Sequence, residues 1–197
     1  MGNIFSELQE QLAPVLRAGD TAKSERTVSE RLAALPHSPF HVAIELSITN
    51  RPADIAAHFD GFFRQEARRF KVGAAYTEMN GFDINPDRWY FDVFAFSEYG
   101  GHDDYDWLAD WQSEPYDDMT ITGLERLQAV YASAAILDKR FKDAAYVAGL
   151  LVVTRFQDLI RTAAPHMREL RFPLLATAHD YDFIFETRET PLEKVEG

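Results

Sequence analysis

The chain contains no cysteine. That one absence removes disulfides, thiolate metal sites and cysteine nucleophiles together, and it fits a cytosolic compartment. Other signatures are missing too. There is no G-x-x-x-x-G-K-[ST], no G-x-G-x-x-G, no H-E-x-x-H and no G-x-S-x-G, so P-loop, dinucleotide, zincin and α/β-hydrolase chemistry have no local support. No secretory signal is expected, because Glu7, Gln9 and Glu10 interrupt the N-terminal region. The longest apolar run, Ala144 to Val153, is far short of the roughly 20 residues that a membrane span needs. A cytoplasmic protein with no cofactor is the expectation.

Positive charge is the next scarcity. From Trp89 to Glu125, 37 residues contain no lysine or arginine but ten carboxylates and ten aromatics, including all three tryptophans. Removing that window from the formal charge of −12 leaves −2 over the other 160 residues. Acidity is therefore concentrated in one place. Phosphate binding rests on clustered Lys and Arg, so nucleic acid is an unsuitable ligand and a basic protein or a cation a suitable one.

At 197 residues with 46% hydrophobic and 26% charged side chains, the chain suits one globular domain. Residues 3–18 pattern as an amphipathic helix with Pro14 inside it, and Thr27-Val28-Ser29-Glu30 reads as a capping box opening a second helix. Phe40 to Thr49 alternates apolar and polar side chains and is predicted to be a strand. Asn50 is the expected cap of a helix whose inner stripe is Ile55, Phe59, Phe62, Phe63, Ala67 and Phe70. Val72–Thr77 and Trp89–Ser97 are further strands, the second central. Thr122-Gly123-Leu124-Glu125 is a second capping box, opening a helix with Leu124, Leu127, Tyr131 and Leu137 inward. The strongest periodicity covers Asp138 to Ala164, a helix buried on most sides. Leu174–Ala178 and Phe183–Thr187 suit a closing hairpin. The expected fold is α+β: a mixed or mostly antiparallel sheet packed against helices, with an N-terminal helical segment over residues 1–36, the main domain over 37–190 and a polar tail over 191–197.

Three readings of the acidic segment arise. It can be a solvated loop with its aromatics turned inward. It can be a cation site, such as calcium held by Asp103, Asp104, Asp106 and Asp110. Or it can be a protein-binding surface, in which Tyr99, Tyr105, Trp107, Trp111 and Tyr116 are anchors and Asp103, Asp104, Asp106 and Asp110 steer a basic partner inward. The last is the leading expectation. Small acidic bacterial inhibitors that neutralise cationic nucleases have a similar composition of carboxylates and tyrosines, with no shared sequence pattern, and this suggests an immunity- or antitoxin-like module that masks a basic partner such as a toxin.

The alternatives are a metal-dependent hydrolase and a non-catalytic assembly subunit. The hydrolase rests on the pairs His102-Asp103 and His179-Asp180, with His102, Asp103, Asp106 and His179 converging on one divalent ion. Metal-dependent phosphohydrolases of the HD type use such pairs on an all-helical scaffold, whereas here both pairs fall in loops.

Overall fold

A computed structural model describes residues 4–80, 87–179, 181 and 183–187. Five helices, α1 (Ile4–Arg17), α2 (Thr21–Ala33), α3 (Pro52–Glu66), α4 (Glu125–Tyr131) and α5 (Lys142–Ala163), accompany five strands, β1 (Ala74–Asn80), β2 (Tyr90–Phe96), β3 (Met119–Thr120), β4 (Leu174–Ala178) and β5 (Phe185–Glu186). The strands form one mixed sheet in the order β3-β2-β1-β4-β5. Among the described strands only the β1–β4 pair is parallel. The fold is α+β, as expected.

Helix α5 is the centre of the main core. Sixteen of its 22 residues are buried, the all-round burial that its apolar pattern implies. Leu8, Leu12 and Leu16 of α1 and Val28 and Leu32 of α2 belong to the same continuous cluster as α5. Pro14 lies within α1 without ending it. The predicted box at Thr27 does not open α2. The helix starts earlier, where the Asp20 carboxylate accepts the Lys23 amide at 3.0 Å, and Thr27 is a mid-helix residue.

The predicted strand at Phe40–Thr49 is absent. Residues Pro39–Glu45 form a 3-10 turn, which buries Phe40 and Ala43, three apart, instead of alternate positions. Buried Arg155 decides this: its guanidinium donates to the carbonyls of Ala43 and Ile44 and pairs with Glu25 at 2.8 Å. The remainder, still extended, runs to Thr49, whose amide donates to Thr122. Asn50 does not cap α3. Its side chain donates to the Thr120 carbonyl and accepts the Thr122 amide, tying this segment to β3. Thr122 is thereby occupied and caps nothing. Helix α4 begins at Glu125 with Leu124, Leu127 and Tyr131 buried as expected, but it ends at Tyr131, leaving Leu137 82% exposed.

Pleating gives the sheet two different faces. Ala75, Met79, Phe91, Val93, Ala95, Leu174 and Ala176 point into the helical core. Ala74, Tyr76, Phe96 and Leu175 point the other way, into a second cluster completed by Phe94, Tyr99, Tyr105, Trp107, Leu108 and Ile184. Among the described residues no α-helix contributes to that second cluster; the acidic segment covers it.

Candidate functional site: an acidic loop on an aromatic platform

The loop between β2 and β3 is closed at its base by hydrogen bonds to the edge of β2. The Gln112 amide donates to the Ala95 carbonyl at 3.0 Å, the Ser97 amide to Gln112 Oε1 at 2.8 Å and the Ala95 amide to Ser113 Oγ at 3.1 Å. These bonds satisfy backbone groups that two-residue β3 leaves open, as an edge strand requires. Above this base Trp107 folds inward. Its ring lies edge-on to Phe96 at 4.8 Å and to Tyr99 at 5.7 Å, and its Nε1–H donates to the Gly101 carbonyl at 3.0 Å. A side chain at position 100 would overlap the Trp107 ring, so glycine there is a packing requirement. Residues Asp106–Ala109 make one 3-10 turn, in which Asp104 Oδ1 accepts the Asp106 amide at 2.9 Å.

The expected anchors separate into three groups. Tyr99, Tyr105 and Trp107 are half-buried parts of the platform; the Tyr99 hydroxyl donates to Glu186 on β5 at 2.8 Å. Burial, then the Glu186 hydrogen bond, pushes the Tyr99 phenol above its ordinary range. Trp111 is 51% exposed, with its ring against Phe94 at 5.0 Å. Tyr116 belongs to the other side, between His58 at 5.1 Å and Phe62 at 5.3 Å, half-buried against the helical core. A surface built from the five aromatics therefore contains one freely presented ring, Trp111.

The carboxylates divide as well. Eight lie between Glu98 and Asp118. Glu114 pairs with Arg69 at 2.9 Å, and Arg69 also pairs with fully buried Glu66 at 2.5 Å and donates to the Gln112 carbonyl. Asp118 pairs with Arg88. Glu98, Asp103, Asp104, Asp106, Asp110 and Asp117 are exposed and make no ion pair among the described residues. Asp92 on β2 is a different case. It is half-buried, accepts from Asn80, and its carboxyl is pushed up, first by burial and then by Asp118 and Glu78.

Beside the platform, the same sheet face holds a cleft of about 420 Å³. Strand β1 supplies Tyr76 and Glu78, the loop supplies Asp103, Asp104 and Tyr105, and the β4–β5 connection supplies Tyr181. Glu78 is held from two sides: the Tyr76 hydroxyl donates to Oε2 at 2.7 Å, and His179 Nδ1 lies 2.8 Å from Oε1. Burial, reinforced by Glu78, pushes the Tyr76 phenol far up, so it remains a donor. Two of the four proposed metal ligands, Asp103 and His179, thus flank one cleft, but among the described residues no three His, Asp or Glu side chains come together to hold an ion. His102 and Asp106 are exposed, and Asp180 lies outside the described residues. Glu78 and Tyr181 are the cleft residues that sequence reading misses. Glu78 sits mid-strand opposite Asp92, and a pair of carboxylates facing one another across strands is a signal visible only once the register is known.

The chain matches no family model, no curated protein and no solved structure at a significant level. No helix among the described residues is long and apolar enough to cross a membrane.

Proposed function

We propose that the protein is an acidic protein-binding module whose loop from Glu98 to Asp117 takes a basic protein partner and masks it, in the manner of an immunity protein or antitoxin. One observation carries the reading. Six exposed carboxylates that make no ion pair among the described residues share with half-exposed Trp111 a loop that is packed on and hydrogen-bonded to the sheet. Preorganisation reduces the ordering cost of association, and uncompensated charge accelerates encounter with an oppositely charged partner. A tryptophan amid charges is also a common binding hot spot. Trp107, Tyr99, Tyr105 and Tyr116 act here as supports for the surface, and Trp111 is the anchor. In the assembly-subunit alternative the acidic loop is incidental, and binding to other subunits would not depend on its carboxylates or on Trp111.

The test compares wild type with Asp106→Lys/Asp110→Lys and with Trp111→Ala. A partner recovered from the source cells is purified and its association followed at low and high salt. Charge reversal should slow association and flatten its salt dependence, because attraction beyond about 8 Å is screened at physiological ionic strength. Trp111→Ala should instead speed dissociation, costing on the order of 2 kcal/mol. A partner whose binding ignores salt and both variants would place the surface elsewhere.

A further inference from the structure

The cleft on the open sheet face has its own chemistry. Its carboxylates come from two separate elements: Glu78 from β1, and Asp103 and Asp104 from the loop. Between them lie Tyr76 and Tyr105, whose rings belong to the cluster on this sheet face. Tyr105 is held by the platform, whereas the Tyr181 ring stacks on Tyr146 of α5, with centroids 6.3 Å apart, so that Tyr181 borders the cleft with its ring turned toward the helical core. Glu78 is 20% exposed, so it is a carboxylate held near the cleft floor and oriented by Tyr76 and His179. Ile184 supplies an apolar wall. The net charge of the lining is negative.

We propose that this cleft binds an alkylammonium group, either of a free amine or of a lysine side chain, with Glu78, Asp103 and Asp104 balancing its charge and the rings of Tyr76 and Tyr105 flanking its methylenes. Competing ligands fit less well. A hard metal ion wants six or more converging oxygens, and among the described residues even three His, Asp or Glu ligands do not converge; 420 Å³ is also far more space than one ion fills. An anion would be repelled. An ammonium needs a point countercharge and gains from aromatic faces within about 6 Å, and the volume lies in the range of small-molecule sites. This site is independent of protein masking, because small amines and cleft variants test it while partner kinetics test the other.

The experiment follows the backbone amide resonances of Thr177 and Ala178, which line the cleft, during titration of the intact chain with pentylammonium, Nα-acetyl-lysine amide, pentanol and calcium. Both amines should give saturable shifts. A preference for pentylammonium assigns the cleft to free amines, and a preference for the lysine derivative assigns it to a protein side chain. Glu78→Gln, which retains acceptors for Tyr76, and Asp103→Asn/Asp104→Asn, confined to exposed positions, should each weaken binding about tenfold, while Asp106→Asn/Asp110→Asn should leave it within about twofold. Melting each variant separates lost binding from lost fold, and the exposed double variant remains informative if Glu78→Gln fails to fold. Equal weakening by the Asp106/Asp110 variant would mean diffuse attraction. Pentanol binding as tightly would mean an apolar pocket, and competition by calcium would mean a metal site. Any of the three overturns the proposal.

Discussion

The two faces of the sheet use the same strands and are closed by opposite means. On one, α5 and its neighbours bring a continuous apolar cluster in which Phe91, Phe59 and Phe156 pack ring against ring. On the other, a single loop folds down Tyr99, Tyr105, Trp107 and Leu108 and turns its carboxylates out. The helical face accounts for stability by burying apolar area. The loop face has far less area, and uses it to hold charge in a fixed place. Composition alone cannot distinguish these roles, since both regions are rich in aromatics. The difference lies in what the aromatic side chains alternate with.

That comparison can be broken by mutation, starting with the largest effect. Val152 is fully buried in α5, so Val152→Asp places an unpaired charge in the helical core and should abolish the cooperative melt, a loss of about 4 kcal/mol or more. Circular dichroism checks this, and an unchanged melt would contradict the central place of α5. Trp107→Ala should cost less, about 2 kcal/mol, because the ring is only half-buried and the helical core survives without it. Its signature is local: the loop should become protease-sensitive well below the global melting temperature. If loop and core instead melt together with no local opening, the two faces are one cooperative unit.

Asp92→Asn gives the smallest effect and the opposite sign. The folded state raises the Asp92 pKa. Stability linked to this group is therefore present below its unfolded pKa and lost as pH rises through its folded value. Asparagine removes that cost while still accepting from Asn80, so the variant should melt slightly higher at neutral pH. The two melting temperatures should converge on acidification through the carboxylate range. A variant that melts lower at neutral pH would show that the ionised carboxylate is needed in the fold.

Local sequence made α5, β4 and the approximate positions of β1 and β2 legible, because each is decided by its own apolar pattern. Where the deciding partner is remote, local reading fails. Phe40 to Ile48 fits both a period of two and a period of three, and Arg155, more than a hundred residues away, selects the turn. Asn50 looks like a cap and is used by β3 instead. The acidic window was visible as composition, including the reading in which its aromatics turn inward. Which rings face the sheet was not visible, since Tyr99, Trp107 and Trp111 have equivalent local surroundings and only the register of β2 distinguishes them. The cleft was less legible still, being assembled from strands and a loop up to about a hundred residues apart.

The three tryptophans provide the most direct test of the two-faced construction, through hydrogen exchange of their indole N–H groups in the free protein. Trp89 is fully buried in the helical core, Trp107 is half-buried and donates to Gly101, and Trp111 is half-exposed at the surface. The expected order of exchange is Trp89 slowest, Trp107 clearly protected, and Trp111 close to the rate of free indole. Trp107 exchanging as fast as Trp111 would mean that the loop does not rest on the sheet, and the account of an acidic surface held on an aromatic platform would fail.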